Sequence, residues 1–495
     1  MVARYTGDMP TVPTQHDRLA ILAVGAMRER GLEPEFPADA LAQAAALDAA
    51  AFRPTEPVRD LRALPWCSID NDDSRDLDQL SVCEPLTDGR VRLLVAVADV
   101  DVAVPKGSPI DRHAAINTTS VYTPARVFPM VPPRLSTDLT SLNAGVDRLA
   151  LVVEFVVAPD GTLDTDTVYG ALVRNHAHLV YDEVDGFLAG RGPLPAEAAR
   201  ADGMREQLEA QDRVAQALSR RRHELGALDF ELVETQVRFD GDTLRDLRTD
   251  APNRAKSLIE NLMIAANGVV ARFLDSHGSP SIRRVVQAPE RWDRIVALAA
   301  GFDVHLPQTA DSRALADFLK GRRLADPGDF PELSHAVIRL IGAGQYVVDT
   351  PGADAPGHFA LAVKDYAHST APNRRYSDLL TQRLLKAVLA GAPVPYAVTE
   401  LSALAQLCTR REDDANRVER QVRKSAEAML VAGRVGEHFT AVVTGASPKG
   451  TYARTLAPHI EGRVIRGEHG LDVGDRVQVQ LVSVDVQRGF IDFAV

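Results

Sequence analysis

Ser68–Val82 reads SIDNDDSRDLDQLSV and packs five aspartates into the nine residues from Asp70 to Asp78. Carboxylates at this density repel one another, so either water screens them or a bound cation neutralises them. A calcium loop of the EF-hand type needs glycine at its sixth position and a carboxylate at its twelfth. Counted from Asp70, those positions hold Arg75 and Ser81, which excludes that loop. A solvated acidic loop and a magnesium site remain as alternatives.

The spacing of Asp76 and Asp78 bears on this choice. Leu77 separates them, so in an extended chain both carboxylates project to one side and Leu77 projects to the other. The apolar residues before Asp70 predict an ordered strand that leads into the loop. Magnesium takes a few carboxylates and leaves positions for water and phosphate oxygens. The local pattern favours the metal site without excluding the solvated loop.

The bulk composition is that of a globular protein of several domains. The chain has 495 residues, of which 45% are hydrophobic and 25% are charged, and we expect about two to four domains. The formal net charge is −12, which by itself argues against a nucleic-acid-binding protein. A local basic channel is compatible with this total.

The three cysteines bear on the compartment. Cys67, Cys83 and Cys408 form no CxxC pair and no zinc-binding spacing, so we expect a reducing, cytoplasmic environment and no disulfide partner. The N-terminal residues contain no apolar signal core, and no apolar run approaches the length that spans a bilayer. We therefore expect no membrane association.

The predicted secondary-structure pattern changes twice along the chain, which divides it into three regions. Residues 1–60 contain two short Ala/Leu-rich helical segments, for which a helix-turn-helix or winged-helix module and a plain helical cap are alternatives. Residues 61–433 combine buried strands at 91–100 and 148–157, a hairpin signal at 158–162 and several helices, which predicts a large α+β domain. Residues 434–495 predict five short strands, as in an OB-fold barrel. The helices are predicted at 196–225, 251–277, 311–323, 331–345, 373–390 and 397–433.

Five blocks in a fixed order resemble the catalytic (RNB) domain of the ribonuclease II / ribonuclease R family. They are SIDNDDSRDLD (68–78), VAVADVDVAVPKGSPIDRHA (95–114), TTSVYTPARVFPMVPPRLSTDLTSLNAGVDRLAL (118–151), SLIENLMIAANGVVARFL (257–274) and YAHSTAPNRRYSDLLTQRLLKAVL (366–389). The C-terminal barrel resembles the RNA-binding S1-type OB barrel of these enzymes. Ordered blocks are far more specific than a single motif.

The resemblance implies a processive 3′→5′ exoribonuclease that hydrolyses single-stranded RNA to nucleoside 5′-monophosphates. It implies Mg²⁺ as the cofactor, with Mn²⁺ as an alternative, and we expect a monomer because the RNA threads a channel. Asp70, Asp76 and Asp78 match metal-site aspartates of the family, and Arg374 matches an arginine that contacts the scissile phosphate. These four are the predicted catalytic residues.

The same resemblance predicts the RNA contacts. Tyr122 matches an aromatic residue that packs on the 3′-terminal base, and stacking suits a base of any identity. Arg375, Glu260 and Tyr452 are the other predicted RNA-binding residues, the last as an exposed stacking residue of the barrel. Structural alternatives remain open. Tyr122 fits a core tyrosine, and an ion pair with Asp378 accounts for one of the two arginines.

Further residues have a structural interpretation that we prefer. His358 and His368 are predicted to be structural histidines. The run RREDDANRVERQVRK (410–424) alternates in sign, which is typical of a solvated helix face.

The sequence departs from the family pattern at the end of the aspartate run. A second aspartate is expected after Asp78, and Gln79 stands there instead. A glutamine oxygen can accept from a metal-bound water but adds no charge, so the binding of one metal should weaken. The alternative to an active enzyme is therefore an RNA-binding protein with impaired catalysis. Asn117 stands where the family usually has arginine, and Ala371 and Asn373 depart from the arginine-bearing block.

The N-terminal region departs more strongly. The family usually carries two cold-shock barrels before the catalytic domain, and residues 1–60 are too few and too helical for them. A helical module would leave the channel mouth more open. We expect better tolerance of duplex RNA with a 3′ overhang than a three-barrel enzyme shows.

Overall fold

The computed structural model describes residues 13–48, 52, 57–231, 235–249, 252–353, 356–447 and 450–495. Most of the N-terminal stretch that lacks a signal core lies outside these residues. The helices are α1 (Gln15–Glu29), α2 (Ala38–Ala46), α3 (Pro109–Asn117), α4 (Tyr181–Leu188), α5 (Met204–Glu224), α6 (Arg254–Ser276), α7 (Trp292–Ala300), α8 (Ser312–Ala325), α9 (Phe330–Ile341), α10 (Tyr376–Leu389) and α11 (Val398–Val431).

The strands follow the same order along the chain. They are β1 (Arg59–Asp60), β2 (Cys67–Asp70), β3 (Gln79–Pro85), β4 (Val91–Ala98), β5 (Val121–Tyr122), β6 (Val127–Phe128), β7 (Asp147–Val157), β8 (Leu163–Arg174), β9 (Ala177–Val180), β10 (Thr235–Asp240), β11 (Thr243–Thr249), β12 (Ser281–Val285), β13 (Gln345–Asp349), β14 (His438–Ser447), β15 (Gly450–Thr455), β16 (Glu461–Arg466), β17 (Arg476–Asp485) and β18 (Phe490–Ala494).

A seven-stranded sheet of order β1-β8-β7-β4-β3-β2-β9 forms the centre of the α+β domain. β3, β4, β7 and β8 pair antiparallel, while β1 and β9 add parallel edges. β4 and β7 are the two predicted buried strands. The predicted hairpin joins β7 to β8, where Gly161 has φ +84° and a Cβ would lie 2.3 Å from the carbonyl oxygen of Ala217. Only glycine fits this turn.

Helix α6 packs on this sheet and on α4, α5 and α10. Asn253 begins it, because its side chain accepts a hydrogen bond from the backbone N–H of Lys256. By length and composition α6 could cross a membrane, so the expectation that no apolar run reaches that length is wrong here. The helix is mostly buried inside the protein, as the core helix of a globular domain is.

Several of the other elements pack into apolar cores of their own. Residues of α7, α8 and α9 share a separate apolar core around Trp292 and Phe318. The C-terminal strands close into a barrel of order β14-β15-β16-β18-β17, filled by residues such as Phe493. The predicted multidomain α+β class with a five-stranded C-terminal barrel is therefore confirmed. In the N-terminal segment, α1 packs on α11 and α2 packs on α3.

The six predicted helices correspond to α5, α6, α8, α9, α10 and α11. The prediction omitted α3, α4 and α7, which have nine, eight and nine residues. Helices this short carry only two turns of periodicity, and tertiary packing stabilises them. Cys67, Cys83 and Cys408 are buried free thiols.

Candidate active site

The aspartate run connects two neighbouring strands of the sheet. Asp70 ends β2, and Asp76 and Asp78 directly precede β3. Leu77 is buried between the last two, and its backbone N–H donates to Ser141 Oγ at 3.0 Å. The backbone carbonyl of Asp78 accepts from Ala98 N at 2.9 Å. These contacts anchor the end of the loop, whereas Asp72 and Asp73 are exposed in a turn.

Asp78 is buried at the centre of the site, with 2% of its surface exposed. Its Oδ1 accepts hydrogen bonds from the backbone N–H and the side-chain amide of Asn373, at 3.0 and 2.9 Å. Its Oδ2 lies 3.7 Å from Arg374 Nε and has no hydrogen-bond partner. One oxygen is thus held by the protein, and the other is available to a ligand.

Asp70 presents a second oxygen of this kind, since its Oδ2 is buried without a hydrogen-bond partner. Burial raises the pKa of Asp70 and of Asp78 to about 7 in each case. The charge of Arg374 opposes both shifts, and the charge of Asp76 adds to them. A buried carboxyl group beside a second one with a buried, unpartnered oxygen has too little compensating positive charge, and a cation stabilises such an arrangement.

The donor set fits magnesium, which is held by one or two carboxylates and completes its shell with water and phosphate oxygens. Asp70 and Asp78 supply the two unpartnered oxygens. Among the described residues, no group of three or more His, Cys, Asp or Glu side chains has the arrangement of a metal site. The role of Asp76 as a third metal ligand stays a prediction.

Tyr122 reaches the site from the hairpin of β5 and β6. Its hydroxyl donates to Asp76 Oδ2 at 3.1 Å, and its backbone N–H donates to Glu419 Oε1 at 2.7 Å. The residue is 41% exposed, so its ring is not a core side chain. Burial of the hydroxyl, together with the charge of Asp76, holds the pKa of Tyr122 above its ordinary value.

The two arginines before α10 have different surroundings. Arg374 is 44% exposed beside Asp78, which leaves much of the guanidinium open to a ligand. Arg375 forms an ion pair with the fully buried Asp378, with 2.7 Å between Nη2 and Oδ1. This geometry matches the structural alternative for Arg375, and its contact with RNA stays a prediction.

Residues 58–391 match the RNB domain, and residues 437–495 match the RNase II-type exonuclease C-terminal S1 domain. The first match covers more than half of the chain. The chain belongs to the RNB family. The resemblance of the five ordered blocks is thereby confirmed.

Individual relatives agree with this assignment. Ribonuclease R of Escherichia coli (strain K12) is 31% identical over 472 residues, which cover 88% of this chain and 57% of that protein. The chain thus spans less than two thirds of the length of this relative. Mycoplasma genitalium RNase R in complex with ribose-methylated single-stranded RNA has a TM-score of 0.86 at 23% identity, covering 97% of this chain and 78% of that one. Its complex with double-stranded RNA has a TM-score of 0.85 at 24% identity, covering 96% and 83%.

Two other predicted RNA-binding residues lie elsewhere in the RNB chain. Glu260 is exposed on α6, with its carboxylate 4.0 Å from Arg222. Tyr452 is exposed on β15 of the barrel. Within the described residues, no hydrogen bond or ion pair connects either of them to the aspartates. Their roles stay predictions.

The two histidines of the RNB domain have structural surroundings. His368 is partly buried, and its Nδ1 lies 2.7 Å from the Tyr346 hydroxyl. Desolvation lowers its pKa well below the ordinary value. Burial also lowers the pKa of His358 to about 4. Both are neutral at pH 7, which fits the structural interpretation.

Sequence reasoning missed two residues of the site. Asn373 holds Asp78 but was noted only as a departure from the family pattern. Glu419 holds Tyr122 but lies in the run interpreted as a solvated helix face. That interpretation needs correction, because Glu419 is partly buried and Glu412 pairs with Arg284 at 2.5 Å. The alternating charges of this run do not show which side chains contact Tyr122 or Arg284.

Proposed function

We propose that this RNB protein is a processive magnesium-dependent 3′→5′ exoribonuclease that hydrolyses single-stranded RNA to nucleoside 5′-monophosphates. One observation carries the proposal. Asp78 is buried, held on one oxygen by Asn373, and has its other oxygen unpartnered beside Arg374. The unpartnered oxygen can bind a cation, and the neighbouring Arg374 can bind a phosphate group. The RNA of the Mycoplasma genitalium complexes supports the same substrate class.

Each residue of the site has a task in this reaction. Asp70 and Asp78 would hold the ion through their unpartnered oxygens. When bound there, such an ion would supply positive charge at the scissile phosphate and would lower the pKa of the attacking water. Arg374 adds a fixed charge with forked donors for the phosphate oxygens. Tyr122 offers a ring face to the 3′-terminal base, and Asp76 orients that ring through the hydroxyl.

The second candidate is an RNA-binding protein whose catalysis is impaired. Gln79 begins β3 opposite Val97, directly after Asp78. It contributes no charge where the family pattern has an aspartate, so the site has one negative charge fewer for its cations. The proposal of an active enzyme requires that Asp70, Asp76 and Asp78 suffice.

One assay separates the two candidates. RNA labelled at its 5′ end is incubated with the protein in Mg²⁺, in Mn²⁺ and in EDTA. An active enzyme shortens the RNA stepwise from the 3′ end, stops in EDTA and releases nucleoside 5′-monophosphates. Tight binding with intact RNA supports the second candidate and contradicts the first.

Matched variants locate the activity in the aspartate run. Asp78→Asn removes the charge of the buried carboxylate and abolishes hydrolysis if the proposal is correct. Asp72→Asn changes an exposed aspartate of the same run and leaves the rate unchanged. Equal effects of the two substitutions contradict the assignment. Gln79→Asp increases the rate at limiting Mg²⁺ if the missing charge weakens metal binding.

The helical N-terminal segment supports a proposal about duplex RNA. Helices α1 and α2 lie in this segment, and the double-stranded RNA bound to Mycoplasma genitalium RNase R supports the same substrate. We expect the protein to digest a duplex with a 3′ overhang beyond the junction. Arrest several nucleotides before every junction contradicts this expectation.

Sedimentation of the free protein tests the proposed monomer.

A further inference from the structure

The connection between α1 and α2, residues 30–36, is part of the N-terminal segment and is hydrogen-bonded to the end of α3. The Asn117 side chain accepts from the backbone N–H of Glu33 and donates to the backbone carbonyl of Glu33, each at 2.8 Å. Asn117 is buried. A carboxamide can make this paired contact because it carries both a donor and an acceptor, whereas an arginine side chain has no acceptor. The departure from the family pattern at position 117 therefore matches a contact with the N-terminal segment.

Two more contacts join the N-terminal segment to the β5–β6 hairpin. Glu35 pairs with Arg126 through two N–O contacts of 3.1 and 3.2 Å. The apolar face of α1 shares a buried cluster with the hairpin residues Val121 and Phe128. The hairpin is thus held from the N-terminal side along its length.

The chain between Asn117 and this hairpin also supports the turn that carries Arg374. Ser120 N donates to the backbone carbonyl of Arg374 at 2.9 Å, and Tyr376 N donates to the carbonyl of Thr118 at 2.8 Å. Tyr122 follows two residues after Ser120. One short segment therefore carries the stacking tyrosine and fixes the backbone of the phosphate-contacting arginine.

This segment begins in a strained conformation. Thr118 caps α3 with φ 57° and ψ −8°, a left-handed conformation that β-branched residues seldom adopt. Strain of this kind persists where surrounding contacts enforce it. The contacts of the adjacent Asn117 with Glu33 are among those that do so.

We propose that the N-terminal segment 30–36 is a positioning element of the active site, with Asn117 as its positioning residue. Through Asn117 and Arg126 it sets the placement of residues 118–128, and hence of Tyr122 and Arg374. This inference rests on the proposed exoribonuclease activity for its kinetic effect, and on geometry alone for its structural effect.

The test compares Asn117→Ala with Asn416→Ala, which removes an exposed amide from α11. Displacement of the tyrosine and arginine lowers kcat for RNA hydrolysis by about 10-fold, because small misplacements of reacting groups are costly. The affinity for a long RNA in EDTA falls by a smaller factor than kcat does, because the barrel still binds the strand. Asn416→Ala changes neither quantity.

A spectroscopic signal reports the placement of Tyr122 without hydrolysis. The protein is labelled with 3-fluorotyrosine, and the ¹⁹F resonance of Tyr122 is assigned by its loss in Tyr122→Phe. Asn117→Ala shifts this resonance, and Asn416→Ala does not. If Asn117→Ala fails to fold, Asn117→Asp replaces it, since aspartate keeps the acceptor for Glu33 N–H and loses the donor.

The outcomes separate this inference from the proposed function. A folded variant with an unmoved Tyr122 resonance and an unchanged kcat overturns the positioning role. A loss of RNA affinity equal to the loss of kcat also overturns it. A wild-type protein that does not hydrolyse RNA overturns the proposed function, and the ¹⁹F shift then decides the positioning role by itself.

Discussion

Asn373 donates two hydrogen bonds to one oxygen of Asp78, a residue 295 positions earlier in the chain, at 3.0 Å from its backbone and 2.9 Å from its side chain. This relationship brings the arginine-bearing block to the aspartate run. It also leaves the other oxygen of Asp78 beside Arg374. The position of the free Asp78 oxygen relative to Arg374 therefore depends on the hydrogen bonds from Asn373.

Asn373→Ala should lower kcat by about 10-fold or more, because a hydrogen bond to a charged group is worth about 1.5–3 kcal/mol. The backbone donor remains in this variant, so the fold is retained. Initial rates on labelled RNA, with a melting curve for each protein, provide the measurement. A rate equal to that of Asn416→Ala would show that the side-chain donor is dispensable.

Tyr122→Ala should raise KM for a short oligonucleotide by roughly 5- to 150-fold, because base stacking is worth about 1–3 kcal/mol. Tyr122→Phe keeps the ring and should stay within about 3-fold of the wild type. Steady-state kinetics on a pentanucleotide measure both. If phenylalanine is as harmful as alanine, the hydroxyl bond to Asp76 matters more than the ring.

Arg374→Met should lower RNA hydrolysis, whereas Arg375→Met should lower the stability of the fold. The first removes a half-exposed charge, so hydrolysis is lost while the free energy of unfolding stays near the wild-type value. The second leaves Asp378 buried without its cation, which costs about 3 kcal/mol or more of stability. Urea unfolding and RNA hydrolysis are measured for both variants. Equal stability of the two would refute the structural role of Arg375.

The three thiols should be unreactive in the folded protein. Cys67, Cys83 and Cys408 are buried, and burial raises the pKa of Cys67 to about 11 and of Cys408 to about 12. Because the thiolate is the reactive form, DTNB should release almost no chromophore until guanidinium chloride unfolds the chain. Rapid reaction of one thiol in buffer would mean that its surroundings open in solution.

His358 should make stability fall in mild acid. Its pKa is about 4 in the folded protein because of burial, with the charges of Arg284 and Arg222 acting in the same direction. The unfolded value is about 6.5, so the unfolded chain binds a proton first. The stabilisation by the neutral ring is complete above pH 6.5 and is lost as the pH falls towards 4.

The variant His358→Asn tests this dependence. Asparagine still offers an acceptor to the backbone N–H of Leu361, which His358 Nδ1 accepts at 3.2 Å, but it does not titrate. The free energy of unfolding at pH 7 minus that at pH 5 should be smaller in the variant than in the wild type. His469→Asn, at an exposed position, should retain the wild-type difference.

The sequence alone determined the local elements and the family. Buried β-branched runs predicted β4 and β7, Gly and Asp turns predicted the closed barrel, and ordered blocks predicted the RNB domain. These signals survive in a linear chain because strand and helix periodicity are local properties. Short helices such as α3 escaped prediction, since packing rather than periodicity stabilises them.

Only the tertiary structure decided which charged groups serve the site. The aspartate run contains five similar carboxyl groups. Asp78 is buried and Asp70 has one buried oxygen, whereas Asp72 and Asp73 are exposed. Of the two adjacent arginines, Arg374 lies beside Asp78 and Arg375 forms an ion pair with Asp378. The Arg375–Asp378 pair is three residues apart, so the local sequence could suggest it. The burial of carboxyl groups and the approach of Arg374 to the distant Asp78 depend on the tertiary structure, because neither is a property of the local sequence.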